Sequence, residues 1–194
     1  LLPRLARQPL AAPQPGSIEF GVKPDRGAPL QHVQFWPVNV DAAGLCTQQF
    51  DGLGHNGAQQ VILPGYAGSG RADDLWKTTC FELFLDFGEG RYREFNFSPS
   101  GRWAAYDFSS YRQKSGDAEL ADQPTVNVDR GDAIISGVVR VPGQALAGAS
   151  KGAFTAVVEE EGGVLSFWAP DHKRDQPDFH DASCFTLDFA PTQS

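Results

Sequence analysis

The sequence contains no methionine, and its three cysteines, Cys46, Cys80 and Cys184, stand far apart with no CxxC spacing. An odd count without paired spacing suggests neither a disulfide framework nor a zinc site. Cys80 and Cys184 each lie beside a phenylalanine in a strand-like run, where a free thiol behaves as a small hydrophobe. No apolar run approaches the roughly 20 residues that cross a bilayer as a helix, so no membrane partner is expected. Residues 1–16 also lack the unbroken apolar segment of a signal peptide. The expectation is a cytoplasmic protein as written, with secretion or the periplasm left open because the chain starts at Leu1 and not at a methionine. Basic residues are scarce, 16 Lys and Arg against 24 Asp and Glu, giving a net charge of -8 and no basic cluster. Phosphate backbones are bound by clustered Lys and Arg, so a nucleic-acid partner is not expected, and the acidity serves solubility. HExxH, GxSxG, P-loop and dinucleotide signatures are all missing. The glycine-rich run Gly65 to Gly70 precedes no helix start that would hold a phosphate, and reads as a loop.

What is present is strand patterning. A chain of 194 residues, 41% hydrophobic and 21% charged, is long enough for one large β-domain. Residues 1–16 carry four of the 14 prolines and read as an extended arm, leaving 17–194 as a single domain. The most ordered stretch is 73–112. There Phe81, Leu83, Leu85 and Phe87 fall on one side of a period-2 pattern while Glu82, Phe84 and Asp86 fall on the other, as a strand with one buried face demands. Gly88-Glu-Gly90 tolerates positive φ and makes a hairpin joint, and 92–97 resumes the alternation. Ser98-Pro-Ser-Gly101 has the residue order of a type I turn, and 102–108 alternates again. Further strands are expected at 17–22, 32–36 (ended by Pro37), 60–63, 125–128, 133–141, 153–160, 164–169 and 184–189, with 44–72 otherwise loop, 115–123 a polar loop and one helical turn within 144–150. Many short strands without a sustained 3.6-residue period or an internal repeat make an all-β chain, an antiparallel β-sandwich or jelly roll.

Two constellations stand out for chemistry. Trp76 precedes a strand carrying Glu82 six residues on, so the indole lies on the same face as the carboxylate or at its rim. A tryptophan is a flat apolar plate that covers the C–H face of a pyranose, and carboxylate, amide and guanidinium groups around it bond the hydroxyls. Asn96 and Arg102 on the adjoining strands are candidates for that ring. The plainer alternative is that Trp76 caps the core and Glu82 pairs with a surface lysine. The second constellation is Trp168 followed by a polar loop with Asp171, His172, Lys173, Asp178 and His180. Trp168 is a candidate facing plate, or else a core tryptophan beside a solvated loop. The four histidines show no metal spacing and read as solvated. Trp103, Tyr106 and Tyr111 are interrupted by Ala104 and Ala105 and carry no expected site. Asp73, Asp74, Asp86 and Glu89 offer oxygens for a structural calcium without a D-x-D-x-D-G pattern. No other cofactor is expected.

Asp74-Leu-Trp76, Cys80-Phe-Glu-Leu-Phe-Leu-Asp86 and Tyr92-Arg-Glu-Phe-Asn-Phe-Ser-Pro-Ser-Gly101 resemble the central block of DOMON-like domains related to family nine carbohydrate-binding modules. That block is a Trp, a strand bearing Glu, then a Tyr/Phe-rich strand closing on a Pro-x-Gly-like turn. The resemblance is to stand-alone bacterial DOMON-like proteins, covers roughly residues 70–189 with an ending pattern at Trp168 and Pro177-Asp-Phe-His180, and is best over 74–112. It implies a jelly-roll-like sandwich in which tryptophans at the positions of Trp76 and Trp168 sandwich a sugar, Glu82 bonds its hydroxyls and Arg102 assists. The expected function is a non-catalytic carbohydrate-binding domain with Trp76 and Trp168 as plates, Glu82, Asn96 and Arg102 as hydrogen-bonding groups, and Asp178 and His180 at the rim; the sequence names no protein partner. One alternative is a glycoside hydrolase pairing Glu82 with a loop carboxylate such as Asp178, since Asp86, four residues along the strand, stands roughly 13 Å away and outside the roughly 5–10 Å that such pairs need. Another is a haem-binding sandwich, as in relatives that use Met and His, for which this chain offers only histidines.

Overall fold

The structure, a computed structural model, describes residues 20–24, 32–40, 46–53, 61–130 and 134–188. The expected arm at 1–16 lies outside the described residues. In chain order the strands are β1 (Phe20–Pro24), β2 (His32–Val40), β3 (Cys46–Leu53), β4 (Gly70–Arg71), β5 (Cys80–Gly88), β6 (Arg91–Phe97), β7 (Arg102–Ser110), β8 (Gln113–Asp117), β9 (Thr125–Arg130), β10 (Ile134–Val141), β11 (Lys151–Glu160), β12 (Val164–Ala169) and β13 (Leu187–Asp188). Helical structure among the described residues is limited to 3-10 turns at Leu75–Lys77, Gly143–Leu146 and Ala182–Cys184. The protein is all-β, an antiparallel β-sandwich.

One sheet runs β4-β7-β6-β5-β11-β12, with β8 on β7 and β13 on β11; the other runs β2-β3-β10-β9, and β1 joins them by pairing with both β12 and β2. Among the described residues every strand pairing is antiparallel except β4 with β7. The alternation expected for 81–97 decides what fills the space between the sheets. Phe81, Leu83, Leu85, Phe95, Phe97 and Trp103 of the first sheet, with Phe154 and Trp168, pack against Ile135, Val139 and Val141 of the second. Apolar burial at roughly 25 cal/mol per Å² makes this layer the main source of stability.

The opposite face of the first sheet is not left to solvent. Phe84, Tyr92, Ala104, Tyr106 and Phe108 form a second buried cluster under Phe179, Cys184 and Phe185 of the segment that follows β12. This corrects the expectation of one buried face: Glu82 and Phe84, on the supposed outer side, are 4% and 1% exposed. The joints behave as their residues require. Gly88, Glu89 and Gly90 have φ of 80°, 57° and 76°. Gly101 closes the four-residue turn by donating its N–H to the Ser98 carbonyl at 3.0 Å, and a Cβ there would lie 3.0 Å from the Tyr66 ring.

Several elements differ from expectation. β2 continues through Pro37 to Val40, and the register slips between those two residues, which is where a proline fits into a strand. β3 and β8 lie in stretches expected to be loop. Within the described parts of the expected strands at 60–63 and 184–189, 61–63 holds a single bridge from Val61 to Glu160 and 184–188 holds the two residues of β13; residues 60 and 189 lie outside the described residues.

Candidate functional site

Between the outer face of the first sheet and the segment after β12 lies a cleft of about 560 Å³. The same alternation that sends Phe81 and Leu83 inward sends Glu82 and Phe84 of β5, Glu94 of β6, and Tyr106 and Phe108 of β7 into it. Trp76 stands at the rim on the turn Leu75–Lys77, 48% exposed. Asp74 opens that turn in the left-handed region at φ 61°, and its carboxylate accepts from Lys77 Nζ at 2.8 Å.

The floor is polar and buried. Glu82 faces Asn96 across the β5–β6 ladder, and Glu94 lies two residues before Asn96. Thr155 donates its hydroxyl to Glu82 Oε2 at 3.1 Å, Asn96 donates to Glu94 Oε1 at 2.5 Å, and the Cys80 thiol meets Asn96 Oδ1 at 3.5 Å. Burial raises the Glu82 carboxyl well above its ordinary 4.5, and the neighbouring Glu94 raises it further against the Thr155 hydrogen bond. Burial raises Glu94 as well, opposed by Asn96 and, through space, by Arg112 and Lys114.

These directions make a pH prediction. Below 4.5 the Glu82 carboxyl is protonated in both folded and unfolded chains; above it only the unfolded chain releases the proton, so this group erodes stability as pH rises toward its folded value. Glu82→Gln keeps the shape and removes the titration. It should melt higher than the parent at pH 7, by about 2–4 °C for each kcal/mol recovered, and much the same at pH 4. A lower melting temperature at pH 7 would contradict this.

His180 and Asp178 belong to the covering segment. His180 Nδ1 lies 2.8 Å from the Tyr92 hydroxyl, which accepts the Arg112 N–H at 3.0 Å, and its ring stands edge-on to Phe84 and Phe108. Burial, then the charge of Arg112, pulls His180 down to about 4, so it is neutral at pH 7. The other ring nitrogen, Nε2, lies 3.7 Å from Glu94 Oε2. Asp178 is a latch. It accepts from the Tyr111 hydroxyl at 2.6 Å, Arg112 Nη2 at 2.8 Å and the His180 N–H at 3.2 Å. Burial works to raise its carboxyl and these hydrogen bonds outweigh it, so it lies below its ordinary 3.8 and holds the segment down until pH falls through that lowered value. Asp178→Ala should cost about 1.5–3 kcal/mol, the range for hydrogen bonds to a charged group. It should also open the segment at 170–181 to protease; unchanged cleavage and stability would rule the latch out.

Of the residues expected to form a site, Trp76, Glu82 and His180 line one cleft. Asn96, 1% exposed, supports its floor through Glu94. Arg102 is on the same outward face of β7 but does not line the cleft; its guanidinium donates to the carbonyls of Ala67 at 2.7 Å and Ser69 at 3.2 Å. Trp168 is corrected: it is 1% exposed in the layer between the sheets, with Nε1 donating to Ser166 Oγ at 3.0 Å. Its neighbour Phe167, one step along β12 and therefore on the other face, lines the cleft with Phe179. His180, expected to be solvated, is largely covered and packed among aromatic rings. Among the residues that sequence reading missed are Glu94, Tyr106, Phe167 and Phe179, and the signal for Glu94 was present, two positions from Asn96 on the same face. Tyr106 donates its hydroxyl to Asp73 Oδ1 at 2.7 Å, and burial followed by that hydrogen bond raises it above its ordinary value. Among the described residues no group of three or more His, Cys, Asp or Glu is placed to hold a metal ion. The oxygens considered for calcium are dispersed, Asp73 on Arg71, Asp74 on Lys77 and Asp86 on the Gly88 N–H.

No protein-family model matches the sequence, and no curated protein matches it either. Among solved structures, the crystal structure of a candidate carbohydrate-binding protein from Bacteroides uniformis superposes with a TM-score of 0.48 at 14% identity, covering 88% of this chain and 85% of that one. A likeness at this level carries nothing about the ligand.

Proposed function

We propose that the protein is a non-catalytic carbohydrate-binding domain whose site is the cleft on the outer face of the first sheet. One observation carries this reading: an exposed indole, Trp76, stands at the rim of a cleft floored by buried hydrogen-bonding groups, Glu82 and Glu94. The indole offers the plate for the apolar face of a sugar ring, with Phe167 and Phe179 as further apolar walls. A protonated carboxyl both donates and accepts, which suits sugar hydroxyls. The volume of about 560 Å³ falls within the roughly 300–1,000 Å³ usual for small-ligand sites. The proposed kinship is with DOMON-like domains related to family nine carbohydrate-binding modules, because the block from Asp74 to Gly101 builds the rim turn and two floor strands together. In this reading the second plate of the family falls to Phe167 and Phe179, and Arg102 and Asp178 act on the surrounding loops.

Hydrolysis has one observation in its favour, two buried carboxyls in one cleft. The partner of Glu82 is then Glu94, since Asp178 is held by Arg112. Burial raises both carboxyls, and the exposed Trp76 plate at the rim, a binding feature that acid–base chemistry does not need, favours binding.

The test is a thermal-shift and calorimetric screen of the purified protein against mono- and oligosaccharides, with a parallel assay for released reducing ends. A ligand that prefers the native state at 100 times its Kd adds about 2.7 kcal/mol. Stabilisation by one sugar class without turnover is the expected result. Turnover lost in Glu82→Gln would replace binding with hydrolysis, and a flat screen would overturn both.

A further inference from the structure

The charges around the cleft are unevenly matched. Arg71 pairs with Asp73 at 2.9 Å, Lys77 with Asp74 at 2.8 Å, Arg112 with Asp178 at 2.8 Å and Lys114 with Asp117 at 2.8 Å, so each of these cations already has a carboxylate. The two carboxylates left over are the most buried of those lining the cleft, Glu82 at 4% and Glu94 at 7% exposed, on adjacent strands and facing one space. Among the described residues neither is paired with a lysine or arginine. Their hydrogen bonds come from the neutral groups of Thr155 and Asn96, and Glu82 lines the cleft with only Oε2 so engaged. Two buried carboxyls with no cation paired to them, Glu94 feeling Arg112 and Lys114 only through space, are costly when ionised, and a ligand that brings a positive charge relieves both at once. The walls favour the same ligand, because aromatic faces attract cations and Trp76 is the strongest kind.

We infer that the cleft takes a sugar bearing a free, protonated amine, its ammonium seated against Glu82 and Glu94 and its ring against Trp76. This rests on the reading of the cleft as a sugar site. The ammonium forms charge-assisted hydrogen bonds with the two carboxylates, stronger than those a hydroxyl makes at the same place. N-acetylation removes the charge and adds bulk where the floor is closed.

The experiment is calorimetric titration of the intact protein at pH 7 with glucosamine and galactosamine, their N-acetylated and 2-hydroxy counterparts, and cyclohexylamine as a ring amine without hydroxyls. An amino sugar should bind about tenfold or more tightly than its neutral counterparts, and Glu82→Gln should remove most of that preference. Equal affinity for amino and neutral sugars overturns the inference and leaves the sugar site standing. Binding of cyclohexylamine as tight as that of the amino sugar keeps the cation and overturns the sugar. Binding of none of these probes overturns the inference.

Discussion

Trp168→Ala is expected to cost about 3–5 kcal/mol of folding stability, the range for emptying a buried tryptophan site. Trp168 is among the largest fully buried side chains and sits where β12 meets both β11 and β1, the strand that joins the two sheets. Its removal leaves a cavity in the layer that holds the sandwich together and takes away the hydrogen bond that its indole N–H makes to the Ser166 hydroxyl. Chemical denaturation measures the loss directly, and a change under about 1 kcal/mol would place the side chain outside the core. Because Trp168 faces away from the cleft, whatever fraction of the variant folds should bind sugar as the parent does.

Trp76→Ala should show the reverse. Trp76 is half-exposed on a short turn, so the fold should lose no more than about 0.5 kcal/mol, as for other surface substitutions. Sugar affinity should fall about 10- to 150-fold, because covering a large apolar side chain is worth about 1.5–3 kcal/mol and each 1.4 kcal/mol is tenfold in Kd. Calorimetric titration of parent and variant reads the difference. Unchanged affinity would remove the indole from the site.

The two tryptophans also show what was legible in the sequence. The meander from β5 to β7 was readable because β5 and β6, and β7 outside its Ala104-Ala105 step, alternate apolar and polar residues and each joint carries glycine or proline in the required place. From it came the face shared by Glu82 and Asn96 and the rim position of Trp76. Trp168 was not readable in the same way. Both faces of the first sheet are covered, so Phe167 and Trp168 present one apolar side chain to each, and alternation alone does not say which layer is the core. Tyr106 was hidden by Ala104 and Ala105, whose small size on β7 reads as an interruption and instead makes room for the rings around them. β8 carries Gln113, Lys114 and Asp117, exposed side chains on an edge strand, and so shows no apolar period. The contact of His180 with Tyr92 and Glu94 joins residues more than eighty positions apart, and nothing local to either segment encodes it.

The central claim is that sugar sits in the cleft beside Trp76, and the indole N–H resonances of the four tryptophans test it without any substitution. In a titration of isotope-labelled protein with the best ligand of the screen, the Trp76 signal should move progressively and saturate. Those of Trp103 and Trp168, buried between the sheets, should stay in place. Movement of the Trp168 signal with a stationary Trp76 signal, or binding that leaves Trp76 untouched, would contradict the account.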